Sequence, residues 1–218
     1  MTDLHYRFVM VLMAIGASLA ALPAAAHPHV FVDAKTEIVF DAAGKMTGVR
    51  HIWQFDEAFS AFAVQGLDKN GDGKLDDDEL QPLAKVNVDS LQEYDFFTSL
   101  TMGKQRETFV PPKEYWLEFR GARLTLFYTL PLKAPVAMTA KATLEVFDPE
   151  YFVAFTFVKD AVKLDGAPKG CAGVYQPPHE LDAQTMATMA AVPKGEDMPP
   201  ALIDAAAGLA NLVTVSCK

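Results

Sequence analysis

The chain has 218 residues and a formal net charge of -9, so it lacks the positive electrostatic footprint that a nucleic-acid binder needs. Half of its residues are hydrophobic, enough for a sizeable core, and the length suits one domain with or without an insertion.

In chain order, Met1 to Arg7 is short and carries one arginine, and Phe8 to Leu22 is an apolar run of signal-peptide length. Pro23-Ala24-Ala25-Ala26 then places small residues at the positions a signal peptidase inspects. We expect cleavage after Ala26, with 1–26 as leader and 27–218 as a single exported β-rich domain starting at His27. The run falls short of the roughly 20 residues that span a bilayer. Ala205 to Val215 is shorter still and interrupted by Gly208 and Asn211, so the mature chain is expected to be soluble in the periplasm, without a transmembrane segment.

Val30 to Phe40 alternates apolar and polar residues, the period of a half-buried strand. Met46 to Phe55 reads as its hairpin partner after the Asp41–Gly44 turn. Asp56 to Leu67 changes to helical spacing, with Asp56 as N-cap. Glu79 to Val88 reads as a second helix with Pro82 near its start, where the missing amide hydrogen costs little. Segments 94–102, 115–119, 123–130, 140–147 and 152–157 read as short strands divided by Pro, Gly or Asp. Residues 166–200 have weak periodicity. A short helix over 201–209 and a last strand ending at Cys217 close the chain. The expected fold is mainly β: an antiparallel sandwich-like domain with an EF-hand-like helix–loop–helix inserted over 56–91.

The sharpest motif is Asp68-Lys69-Asn70-Gly71-Asp72-Gly73-Lys74-Leu75-Asp76-Asp77-Asp78-Glu79, which fills every constrained position of a twelve-residue EF-hand loop. Calcium is a hard cation that takes six to eight oxygens, several of them anionic. Asp68, Asn70 and Asp72 offer side-chain oxygens, Lys74 its carbonyl, Asp76 a water-bridged contact and Glu79 both carboxylate oxygens. Gly73 permits the sharp turn, and Leu75 points away from the ion. A structural role for the calcium is favoured over a regulatory one.

If the mature chain begins at His27, that residue chelates with its amine and its imidazole. His29, two residues on, projects to the same side of an extended chain. Imidazole ligands suit zinc, copper and nickel, and Asp33 lies farther along the same face as a further ligand or an acceptor. A square-planar site built on deprotonated amides cannot form, because Pro28 has no amide hydrogen to lose. With a two-residue turn at Ala42-Ala43, His51 pairs with Ala34 on the apolar face. It is then either a buried, hydrogen-bonded histidine or a third ligand, and His179 is a spare candidate.

Cys171 and Cys217 are the two cysteines. Export permits them to form a structural disulfide, and their separation makes a poor redox centre.

Together, HPHVFVD at 27–33, HIWQFDEAFSAF at 51–62, DKNGDGKLDDDEL at 68–80 and the terminal Cys217 resemble the domain of unknown function 1007 family over nearly the whole mature chain. Members are often labelled periplasmic components of an ABC-type transport system and associated with nickel/cobalt-type permeases. The resemblance therefore implies transition-metal traffic with a membrane metal permease as partner. It also marks His27, His29, Asp33, Trp53, Asp56 and the calcium ligands as motif residues. A two-lobed α/β clamshell is not expected from so short and strand-rich a chain. The leading expectation is a periplasmic metal-binding accessory protein and not an enzyme. The alternatives are a calcium-stabilised scaffold without a transition-metal site, or a copper-dependent enzyme.

Overall fold

The computed structural model describes residues 28–192 and 198–218. The expected leader and His27 lie outside the described residues. Two five-stranded sheets face each other across one buried cluster. The first takes the order β5-β6-β2-β1-β8 and the second β4-β3-β7-β10-β9. Their strands are β1 (Val30–Phe40), β2 (Met46–Phe55), β3 (Thr98–Met102), β4 (Gln105–Arg106), β5 (Tyr115–Arg120), β6 (Arg123–Val136), β7 (Ala142–Val146), β8 (Val153–Asp165), β9 (Cys171–Gln176) and β10 (Asn211–Cys217).

Period-two patterning explains this core. Val30, Val32, Ala34, Thr36, Ile38 and Phe40 all turn inward from β1, as Leu124, Leu126, Tyr128, Leu130 and Leu132 do from β6. Leu100, Met102, Leu144, Val146, Val213 and Val215 answer from the other sheet. Each large side chain moved from water into such a core contributes roughly 1.5–3 kcal/mol before entropy is counted.

The structure departs from the sequence expectation in several places. The first sheet is mixed, because β8 pairs with β1 in parallel while the other pairings are antiparallel. Strand β2 already holds one edge of β1, and the chain returning from β7 enters β8 beside the start of β1. The β1–β2 turn is also longer than two residues. The Asp41 carboxylate accepts the amides of Ala43 and Lys45, and a bulge at Val39/Phe40 shifts the register so that His51 faces Thr36 and Trp53 faces Ala34. Finally, residues 94–97 are not strand. They belong to a 3-10 segment, Gln92–Phe97, in which Asp95, Phe96 and Phe97 have positive φ. That backbone turns Phe96 and Phe97 into the core, and the Thr98 hydroxyl holds the turn by donating to the Phe96 carbonyl at 2.7 Å.

Between β2 and β3 the chain makes a helix–loop–helix excursion. Helix α1 (Glu57–Ala63) is capped by Asp56 and helix α2 (Asp77–Leu91) by Asp76. Helix α2 starts two residues earlier than the sequence pattern implies, so Pro82 is its sixth residue and leaves the Asp78 carbonyl without its helical donor. It packs along β5. Helices α3 (Ala183–Ala190) and α4 (Pro200–Ala207) share a small satellite cluster of Met189, Met198 and Ala206. Cys171 and Cys217 stand opposite each other on β9 and β10 and are joined as a disulfide. Among the described residues, no helix is long and apolar enough to cross a membrane.

Candidate functional site

The segment 68–79 is folded by its own side-chain oxygens. Asp68 Oδ1 accepts the Gly71 amide at 2.7 Å and Oδ2 the Gly73 amide at 2.9 Å. Asn70 Oδ1 accepts from Asp72 and Asp72 Oδ1 from Lys74, both at 2.8 Å. Gly71 and Gly73 have φ of 73° and 77°, a region that L side chains rarely enter. At the end of the segment, Glu79 reaches back over it. Its Oε1 accepts the Lys69 amide at 2.8 Å and its Oε2 the Asp76 amide at 3.2 Å. The Asp76 carboxylate in turn accepts the Glu79 amide at 3.0 Å, which completes a capping box. Leu75 turns the other way and packs against the core.

Electrostatically the segment is acidic, with six carboxylates against Lys69 and Lys74. Asp68, Asp72, Asp76, Asp77, Asp78 and Glu79 crowd into twelve residues, and Glu79 is only 7% exposed. Among the described residues no Lys, Arg or His forms an ion pair with it. Its carboxylate is met instead by the backbone amides of Lys69, Asn70 and Asp76. Also among the described residues, no three His, Cys, Asp or Glu side chains gather as a metal-holding group. The carboxylates of Asp68, Asp72, Asp76 and Glu79 are instead each turned to backbone amides of the loop itself.

The described residues of the N-terminal motifs make contacts with the rest of the fold. His29 is exposed, its amide donates to the Phe152 carbonyl at 2.8 Å, and its ring lies 4.7 Å from that of Phe152. Asp33, expected beside the histidines as a ligand or acceptor, pairs with Arg123 at 2.9 Å. The same guanidinium donates to the Phe55 carbonyl at 2.7 Å. Asp56 accepts the Phe31 amide with Oδ2 and the Phe59 amide with Oδ1, each at 2.9 Å. Partial burial raises its pKa, but these amide bonds outweigh that and hold it below the usual aspartate value.

His51 is fully buried, with both ring nitrogens engaged. Nδ1 lies 3.3 Å from the Thr36 hydroxyl and Nε2 3.2 Å from that of Thr98. Burial lowers its pKa to about 3, so it is a neutral core histidine and is closed to an external metal. His179 is exposed on the loop before α3, and its amide donates to the Gly208 carbonyl.

Comparison with known proteins agrees with this pattern of motifs. The family described as "Protein of unknown function (DUF1007)" matches residues 11–217. The chain belongs to that family. A relative named "Uncharacterized protein" from Haemophilus influenzae (strain ATCC 51907 / DSM 11121 / KW20 / Rd) is 27% identical over 151 residues, which cover 68% of this chain and 71% of the relative. An "Uncharacterized 15.5 kDa protein in trpE 3'region" from Spirochaeta aurantia is 28% identical over 118 residues, 53% of this chain and 84% of its own length.

One feature of this DUF1007 chain carries no local sequence signal. Helix α2 roofs an apolar cavity of about 490 Å³ at the end of the sandwich. Its lining is drawn from β1, β2, α1, α2, the 3-10 segment and β8, so no contiguous motif marks it.

Proposed function

We propose that this protein is an exported scaffold whose helix–loop–helix is fixed to the β-core by one structural calcium ion. Asp68, Asn70, Asp72 and Glu79 would offer side-chain oxygens, Lys74 its carbonyl, and Asp76 a contact through water. That donor set fits calcium, which in the bound state supplies the counter-charge the acidic loop lacks. The observation that carries the reading is Glu79, buried without a basic partner among the described residues and already folded back on the amides of Lys69 and Asp76. Its position at the start of α2 means that any ion it holds also anchors the helix over the core. The apolar run at 8–22, the alanines before His27 and the Cys171–Cys217 pairing support export. The reading assigns a binding and structural role, not catalysis.

Metal analysis and titration calorimetry on the protein beginning at His27 test this. One calcium per chain, with no transition metal retained, is the expected result. Failure to bind calcium at millimolar concentration overturns the reading. Zinc, nickel, cobalt or copper bound stoichiometrically and lost in His29→Ala would instead favour a metal-handling protein that serves a membrane permease.

A further inference from the structure

The cavity beneath α2 has the size and chemistry of a ligand site, and its roof is the helix that the calcium reading anchors. Its volume of about 490 Å³ falls within the roughly 300–1,000 Å³ of small-molecule pockets, which are mostly apolar with a few placed polar groups. The floor is aromatic and fixed. Trp53 and Phe155 have ring centroids 4.8 Å apart, and Phe97 lies 5.6 Å from Phe155. All three are at most 8% exposed. Small ligands gain most from such a preorganised apolar surface, because little must be ordered on binding.

Two of the four polar residues on the wall are carboxylates. Asn87 and Ser90 come from α2, and Asp148 and Glu150 from the turn between β7 and β8. The Asn87 amide nitrogen gives one of its two hydrogens to the Leu83 carbonyl at 2.9 Å. Asp148 is held in place by the Glu150 and Val153 amides at 2.9 and 2.8 Å, whereas Glu150 is exposed. Among the described residues no Lys, Arg or His lines the cavity. A carboxylate or phosphate ligand would thus meet two like charges and no cation, while a positive head group meets complementary charge.

We propose that this cavity binds a small cationic amphiphile, an alkyl- or aryl-amine whose apolar part lies over Trp53 and Phe155 and whose ammonium group faces Glu150. The chain has two tryptophans, Trp53 and Trp116, and Trp116 lies outside the cavity lining. In a Trp116→Phe background, tryptophan emission therefore reports the cavity floor alone. The probes are octylamine, octanol and octanoate in calcium-containing buffer at pH 8, where histidine is neutral and the amine remains charged.

Octylamine is expected to change Trp53 emission saturably and to bind at least about tenfold more tightly than octanoate, a difference of roughly 1.4 kcal/mol. Glu150→Gln should remove that preference while leaving octanol unchanged. Ser90→Phe, at an exposed helix position, should weaken octylamine about tenfold with an unaltered melting temperature. No saturable change with any probe, tighter binding of octanoate than of octylamine, or octylamine affinity unaltered in both variants overturns the assignment. Calcium binding by the same protein, measured by calorimetry, separates a failure of this assignment from a failure of the calcium reading.

Discussion

The Thr98 hydroxyl and the His51 ring fix each other's hydrogen-bonding roles. Thr98 has one hydroxyl proton, and it goes to the Phe96 carbonyl at 2.7 Å. Toward His51 Nε2, 3.2 Å away, Thr98 can therefore only accept. The buried imidazole is the Nε2–H tautomer, and its bare Nδ1 accepts from the Thr36 hydroxyl. Thr98→Val removes an acceptor for a buried N–H and a donor for a strained turn, and should destabilise by about 2–3 kcal/mol. Thr36→Val strands only one acceptor and should cost about 1–2 kcal/mol. Urea unfolding compares the two, and equal losses would contradict the assigned roles.

Acid should find the same histidine. Its folded pKa of about 3 lies below the ordinary 6.5, so between those values the unfolded chain binds a proton that the native chain refuses. The stabilisation conferred by neutral His51 is complete above pH 6.5 and falls as pH drops toward 3, by up to about 1.4 kcal/mol per pH unit. His51→Phe removes this contribution. Stability measured by urea between pH 7 and 4.5 should decline more steeply in the wild type than in the variant.

Asp56 joins the first strand to the first helix, since one oxygen takes the Phe31 amide and the other the Phe59 amide. Asp56→Ala should cost about 1–3 kcal/mol, the sum of a lost cap and a lost cross-strand acceptor. Asp56→Asn keeps one acceptor and should lose less. Because the folded pKa is depressed, the carboxylate's contribution is present above the ordinary aspartate value and disappears as pH falls through the folded one. Chemical denaturation of both variants at pH 7 provides the ranking, and an Asn variant as unstable as Ala would refute the two-acceptor account.

The disulfide closes a 46-residue separation between Cys171 and Cys217. By restricting the unfolded chain it should contribute about 3–4 kcal/mol. A Cys171→Ser, Cys217→Ser double variant should lose that amount in urea unfolding while binding calcium as before. A loss of calcium binding would mean that the two ends of the molecule are coupled.

Strands with clean alternation were legible in the sequence: β1, β2 and the first half of β6 announce themselves, and so do the Asp56 cap and the glycines of the 68–79 turn. Parallel pairing of β8 with β1 was not, because strand direction depends on where a distant segment re-enters the sheet. Residues 94–97 misled because aromatic content mimics strand propensity, while three left-handed residues depend on tertiary burial of Phe96 and Phe97 and on Thr98. The His51 register slipped by two residues through a turn held by the Asp41 side chain. The face survived, since two is the strand period. Asp33 resembled a metal acceptor until Arg123, ninety residues later, supplied its partner. The cavity under α2 has contributors from six elements and no local trace.

Thermal unfolding of the protein beginning at His27, in chelator and in about 2 mM calcium, tests the calcium account most directly. With an affinity near 10⁻⁴ M, calcium should add roughly 1.8 kcal/mol and raise the melting temperature by about 3–7 °C. Glu79→Gln keeps an oxygen for the capping box but loses the charge, and should show no such rise. An unchanged melting temperature in the wild type, or an equal rise in Glu79→Gln, would contradict the assignment of Glu79 and its loop to calcium.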